Sequence, residues 1–266
     1  MQQADDFRAE TRALAACLAG RGADVFDEVT QFKGWTVGDV LGHLHFFNAA
    51  AECALAGPDA FVSMMAPAMA LLEEGAPILD LQWPWLDGLS GVALFEAWQQ
   101  GAERLADAYA QADPKARVKW VGPEMSAQSA ITARQMETWA HGQEIFDLLG
   151  QEREEADRIR NIAHLGVVTF GWSFRVHGQP VPEPVPHVVL RAPSGAEWTW
   201  NEPQEDNRVE GSAVAFARVV TQVRNYADTD LVCTGPVAEA WMRQAQCFAG
   251  PPNAPPKPGS RFKVSD

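Results

Sequence analysis

The sequence predicts a helical bundle over residues 1–152 followed by a smaller α+β domain over residues 153–266, and three observations predict it. Apolar residues recur at three- and four-residue spacing as far as Gly150, which is the pattern of helices with one buried face. Beyond Gly150, short runs rich in β-branched and aromatic residues alternate with turn residues and helical stretches. Within that second half, Pro180, Pro182, Pro184 and Pro186 make Gly178 to Pro186 an extended linker.

The elements follow in order. Phe7, Leu14, Cys17 and Leu18 share one helical face, and Gly20-Arg21-Gly22 stops that helix. A second helix opens at Trp35-Thr36-Val37-Gly38-Asp39, where Thr36 can cap the free amides and Asp39 can close a capping box. Its stripe of Val37, Val40, Leu41, Leu44, Phe47 and Ala51 runs to Gly57-Pro58. Phe61 to Glu74 reads as helix broken by Pro67, and Trp83 to Gly88 as a rigid aromatic connector. Helices over Val92–Ala112 and Ala127–Leu149 end at Asp113-Pro114 and at Gly150, which completes four principal helices.

In the second half a helix is expected over Glu155–Val176. Strands are expected at His187–Arg191 and Glu197–Trp200, with Pro193-Ser194-Gly195 turning between them. A strand at Arg208–Gly211 leads into a helix over Ser212–Tyr226. A last strand at Leu231–Cys233 precedes a helix over Val237–Phe248 and a proline-rich tail.

Composition removes several classes of function. A formal net charge of −14 repels phosphate backbones and anionic membrane faces, so neither nucleic acid nor a membrane is an expected partner. No run reaches the roughly 20 apolar residues that span a bilayer, and no basic n-region precedes an apolar run at the N-terminus. The four cysteines, Cys17, Cys53, Cys233 and Cys247, stand far apart without a CxxC pair and read as reduced, packed thiols. The expectation is a cytoplasmic protein acting on a small molecule.

Chemistry concentrates on two helices. Glu137 and His141 are four residues apart and project from the face that also carries Ala130, Ile131, Ile145 and Leu148. A carboxylate on that face needs a cation, a proton or a metal. Arg134, one turn earlier, offers the ordinary answer of a helix salt bridge beside a satisfied histidine, and spacing alone leaves that answer open. On the second helix His43 lies about 80° from the centre of the apolar stripe and His45 about 120°, so His43 is the histidine favoured to point inward. Together His43, Glu137 and His141 would form a three-ligand metal set with one position left open.

The residues Gly34-Trp35-Thr36-Val37-Gly38-Asp39-Val40-Leu41-Gly42-His43-Leu44 resemble the first metal-ligand helix of the DinB-like, mycothiol-dependent maleylpyruvate isomerase-like family. Arg134-x-x-Glu137-x-x-x-His141-Gly142-Gln143-Glu144-Ile145 resembles its second, although Glu144 stands where Asp is expected. The resemblance implies a DinB-like four-helix bundle holding a divalent metal, usually zinc, through His43, Glu137 and His141. It also implies a C-terminal sterol-carrier-like α+β domain. Asp228-Thr229-Asp230-Leu231 and Ala245 to Pro252 extend the likeness to a two-domain branch of unassigned reaction. In relatives a C-terminal arginine contributes to the site. Arg218 and Arg224 match no motif for it and read as solvent-exposed, while His164, His177 and His187 read as structural or surface residues.

Three functions compete on these residues. The family likeness implies that the metal activates a low-molecular-weight thiol for isomerisation or S-transfer. The same open position could activate water in a hydrolase, for which the only nearby base, His45, faces away. A metal-stabilised, non-enzymatic binding protein is the third. Two histidines and a carboxylate also suit iron(II), but a helical bundle inclines the reading toward zinc or nickel. No catalytic residue beyond the metal set is assigned.

Overall fold

The computed structural model describes residues 1–265. The chain divides into two units, Met1–Leu149 and Gly150–Asp266. In the first, helices α1 (Gln2–Leu18), α2 (Val37–Ala56), α3 (Pro58–Glu73), α4 (Trp83–Leu86) and α5 (Gly91–Gln111) precede a hairpin of β1 (Arg117–Val118) and β2 (Met125–Ser126), and α6 (Ala127–Leu148) closes the unit. Helix α1 packs against α5 and α6, and α2 packs against α3, α5 and α6. Two apolar clusters fill the space between them, one around Phe7, Phe46, Leu105 and Tyr109, the other around Leu14, Leu41, Leu44 and Trp98.

The capping box at the start of α2 is formed. Thr36 Oγ1 accepts from Asp39 N at 3.0 Å, and Asp39 Oδ2 accepts from Thr36 N at 2.8 Å. Three expectations for this half change. Helix α3 runs unbroken through Pro67, because Pro67 and Ser63, whose carbonyl loses its helical donor, both lie on the exposed face. The aromatic connector expected at Trp83 to Gly88 opens as the one-turn helix α4, which follows a 3₁₀ turn at Ile78–Gln82 and which Asp87 ends at φ 46°. The β1–β2 hairpin, two residues a strand, was too short to announce itself by alternation.

The second unit carries α7 (Arg160–Val168), α8 (Phe170–Arg175), β3 (His187–Arg191), β4 (Glu197–Trp200), β5 (Arg208–Ser212), α9 (Ala213–Val220), β6 (Val232–Thr234) and α10 (Pro236–Gln244). Its sheet has the order β4-β3-β5-β6, with β3 and β5 parallel and the outer pairs antiparallel. Val188, Leu190 and Val209 point into the core, and Trp241 packs between Phe170 and Phe216 at ring separations of 5.1 and 5.6 Å.

Three helices are shorter than their patterns suggest. The expected 155–176 helix starts with a 3₁₀ turn at Asp157 and is interrupted at Thr169, whose hydroxyl donates to the Leu165 and Gly166 carbonyls. Helix α9 ends at Val220. Gln222 adopts φ 58°, and the amides of Gln222 and Val223 return to the carbonyls of Val219 and Arg218, a Schellman closure without glycine. Helix α10 stops at Gln244, where Ala245 turns extended and Gln246 N bonds Ser173 Oγ. Among the described residues no helix is long and apolar enough to cross a membrane.

Candidate metal centre

Helices α2 and α6 carry the three residues singled out by sequence, and the fold brings them together. Glu137 Oε2 lies 3.3 Å from His141 Nε2 and 3.7 Å from His43 Nε2. One ligand atom from each of the three falls within 4.8 Å of the others. Bonds of about 2.1 Å at tetrahedral angles place neighbouring donor atoms about 3.4 Å apart, so the set fits one small divalent cation. His43 is 5 % exposed, and the Glu137 and His141 side chains are partly accessible, which leaves an approach on their side.

Aromatic rings hold the imidazoles in place. His141 lies edge-on to Phe32 at 5.0 Å and parallel to Trp35, and His43 packs between Trp35 at 5.3 Å and Phe47 at 4.7 Å. His43 Nδ1 is buried with no hydrogen-bond partner, so ring packing, rather than the usual outer hydrogen bond, sets its orientation. Phe32 and Trp35 belong to the turn before α2. Thr30 N and Oγ1 both donate to the Trp35 carbonyl at 2.8 Å, and Trp35 N returns to the Phe32 carbonyl.

The electrostatics suit a cation. Burial lowers the His43 pKa to about 4, against the pull of Glu137, so this imidazole is neutral at pH 7 with one ring nitrogen free to ligate. Burial pushes Glu137 up, but His141 and His43 beside it and Arg134 a turn away hold its carboxyl well below the usual range. The triad therefore presents an anionic carboxylate and a neutral His43.

The helix salt bridge that spacing left open is not made. Arg134 turns away from Glu137 and donates from Nε to Asn48 Oδ1 of α2 at 3.0 Å. Asn48 was not foreseen. Its signal was a lone amide at an α2 position that is 2 % exposed. His45, expected to face outward, is 8 % exposed and packs on Trp85 at 4.9 Å, away from the triad, beside Gly101, where a Cβ would meet its ring at 3.2 Å. Burial lowers its pKa to about 4 as well.

In the second unit Arg224 is 8 % exposed and Arg218 half-buried, so the expectation of solvent exposure fails for both. They line a small cavity with Ser212, Asp228 and Asp230. His164 accepts from Trp200 Nε1 at 3.3 Å, and His177 Nδ1 lies 2.9 Å from the Ser173 carbonyl. Burial pushes the Cys233 thiol up, and none of the four cysteines is in a disulfide.

Fold and site thus define a helix-rich, two-unit protein with a His-Glu-His cluster between two packed helices. Residues 7–146 match the family described as the mycothiol maleylpyruvate isomerase N-terminal domain, and the chain belongs to that family. Two uncharacterized proteins of Mycobacterium tuberculosis are each 37 % identical to it over 247 residues, 93 % of this chain and 95 % of theirs. The crystal structure of the mycothiol-dependent maleylpyruvate isomerase superposes with a TM-score of 0.52 at 18 % identity, covering 82 % of this chain and 87 % of that one. A point mutant of the isomerase gives 0.55 at 19 % identity, covering 88 % and 95 %. At that identity the likeness is one of fold.

Proposed function

We propose that the chain is a thiol-dependent isomerase or S-transferase that holds one divalent cation, zinc for preference, through His43, Glu137 and His141, and acts on a small molecule. The observation that carries this reading is the convergence of those three side chains from α2 and α6 in a chain of an isomerase-related family. The same reading takes the first unit as a DinB-like four-helix bundle and the second as a sterol-carrier-like domain.

A bound cation would favour the deprotonated form of a thiol brought to its open position, which makes the sulfur a nucleophile at neutral pH. The protein's own part is positional. Glu137 supplies the negative charge of the set, His43 stays neutral, and Trp35, Phe32 and Phe47 fix the two rings. Water activation receives less support, because His45, the remaining nearby base, faces Trp85 instead of the triad.

The test is metal analysis of untagged protein, followed by cobalt substitution. One equivalent of metal and a visible cobalt spectrum that shifts on adding a physiological thiol are expected. Protein that neither contains nor takes up metal overturns the reading. Metal without any response to a panel of thiols overturns its thiol half.

A further inference from the structure

Arg134 is 3 % exposed, yet its only hydrogen bond among the described residues is the one from Nε to Asn48 Oδ1. Its Nη2 is buried without a partner, and so is Nδ2 of the same Asn48. Among the described residues no carboxylate lies within ion-pair distance of the guanidinium. Glu137, the anion that acts on it at longer range, already serves His43 and His141. Burial pulls the Arg134 pKa down to about 10, which leaves the side chain cationic at neutral pH.

A buried cation without an anion is among the costliest arrangements a core can hold, and an apolar side chain of similar size would be more stable there. A cation bound by the triad raises that cost, since one carboxylate must then offset both it and Arg134. Phe47 connects the two places. Its ring is 5.9 Å from the guanidinium carbon and 4.7 Å from the His43 ring, and it is only half-buried.

We propose that Arg134 and Asn48 form a carboxylate-binding subsite beside the triad, uncovered when the Phe47 ring turns, so that the ligand of this site is an anion. The inference rests on the metal reading only for the second half of that ligand, its thiol. The carboxylate half belongs to Arg134, whose free N–H groups suit a planar, paired acceptor better than a lysine would.

Two thiols of similar size, 3-mercaptopropionate and 3-mercaptopropan-1-ol, separate the contributions when titrated calorimetrically into zinc-loaded protein. The acid is expected to bind at least about tenfold more tightly than the alcohol, as a charge-assisted contact would give. Arg134→Met should erase the preference while the alcohol still binds, and Arg134→Lys should restore part of it. Full preference in Arg134→Met overturns the subsite.

Thermal melting guards against a merely structural role. Because the methionine removes an unpaired buried charge, Arg134→Met/Asn48→Leu should melt no lower than the wild type. A variant that melts far lower and keeps the preference overturns the proposal. Propionate added to metal-free protein separates this inference from the metal reading. It should raise the melting temperature of the wild type and not of Arg134→Met, whether or not the chain takes up zinc, and equal shifts in both overturn the subsite. Propionate that binds together with 3-mercaptopropan-1-ol assigns the carboxylate to a separate reactant. Propionate that competes with 3-mercaptopropionate alone assigns it to the thiol. Either result supports the subsite.

Discussion

The indole of Trp35 lies parallel to the imidazole of His141, the planes 4° apart and the ring centres 5.8 Å apart. Trp35 also reaches the His43 ring, so one side chain from a loop touches ligands on both helices. It is 5 % exposed, and the Thr30–Trp35 turn fixes its backbone. Trp35→Leu should therefore do two separable things. Loss of the buried ring should cost about 2–3 kcal/mol of stability, read by urea unfolding of the metal-free protein. Freedom of the two imidazoles should weaken metal binding roughly tenfold, read by competition with a chelator. A metal affinity equal to wild type would show that the stack does not orient His141.

His43 and His45 are two residues apart on α2 and face different surroundings, one the triad and the other Trp85. His43→Ala should abolish the cobalt spectrum, since it removes one of three ligands. His45→Ala should leave that spectrum unchanged and cost about 1–3 kcal/mol of stability through the gap left against Trp85 and Gly101. The reverse outcome would assign the inward role to His45.

Acid should unfold the metal-free protein earlier than its carboxylates alone would require. His43 and His45 are held neutral in the folded state, with pKa values of about 4, while the unfolded chain takes up those protons near the ordinary value of 6.5. Between those values the unfolded state binds more protons, so stability falls as pH falls. Glu137, whose folded pKa is depressed, adds its own loss only as pH drops below the ordinary 4.5. Each histidine should contribute about 2 kcal/mol of destabilisation between about pH 7 and pH 5. Unfolding curves for wild type and His45→Ala across this range should show a shallower pH slope in the variant. An identical slope would mean that His45 protonates freely in the folded state.

Much of the site's geometry was legible because its signals are local. The i, i+4 spacing of Glu137 and His141 and the place of His43 beside an apolar stripe follow from helical periodicity alone. Asn48 and Arg134 were harder. A polar residue on a mostly apolar helix reads as a solvated edge, and the nearest carboxylate in sequence, Glu137, looked like the natural partner for Arg134. The structure gives that carboxylate to the histidines and gives Arg134 to a residue 86 positions away. Phe32 and Trp35 escape any periodicity argument because a turn presents them. Gln222 ends α9 with a backbone angle that the sequence marks with glycine elsewhere, which is why the pattern ran on toward Tyr226.

Pro67 shows the same limit from the opposite side, since a residue that normally breaks helices sits inside one. It lies in the interior of α3, exposed, between Met65 and Ala68, which are only 3 and 2 % exposed. The anchors on either side hold the helix through a position where proline supplies no amide. Pro67→Ala would restore that donor to the Ser63 carbonyl and lift the helix-interior penalty of roughly 3 kcal/mol. Part of this gain is offset, because the unfolded chain recovers about 1 kcal/mol of entropy and solvent already hydrates the exposed carbonyl. The net expectation is a stabilisation of about 1 kcal/mol, seen as a higher urea midpoint at unchanged slope, with metal uptake unaffected because α3 contributes no residue to the triad. A lower midpoint would mean that the proline-induced geometry of α3 is itself required to seat Met65 and Ala68.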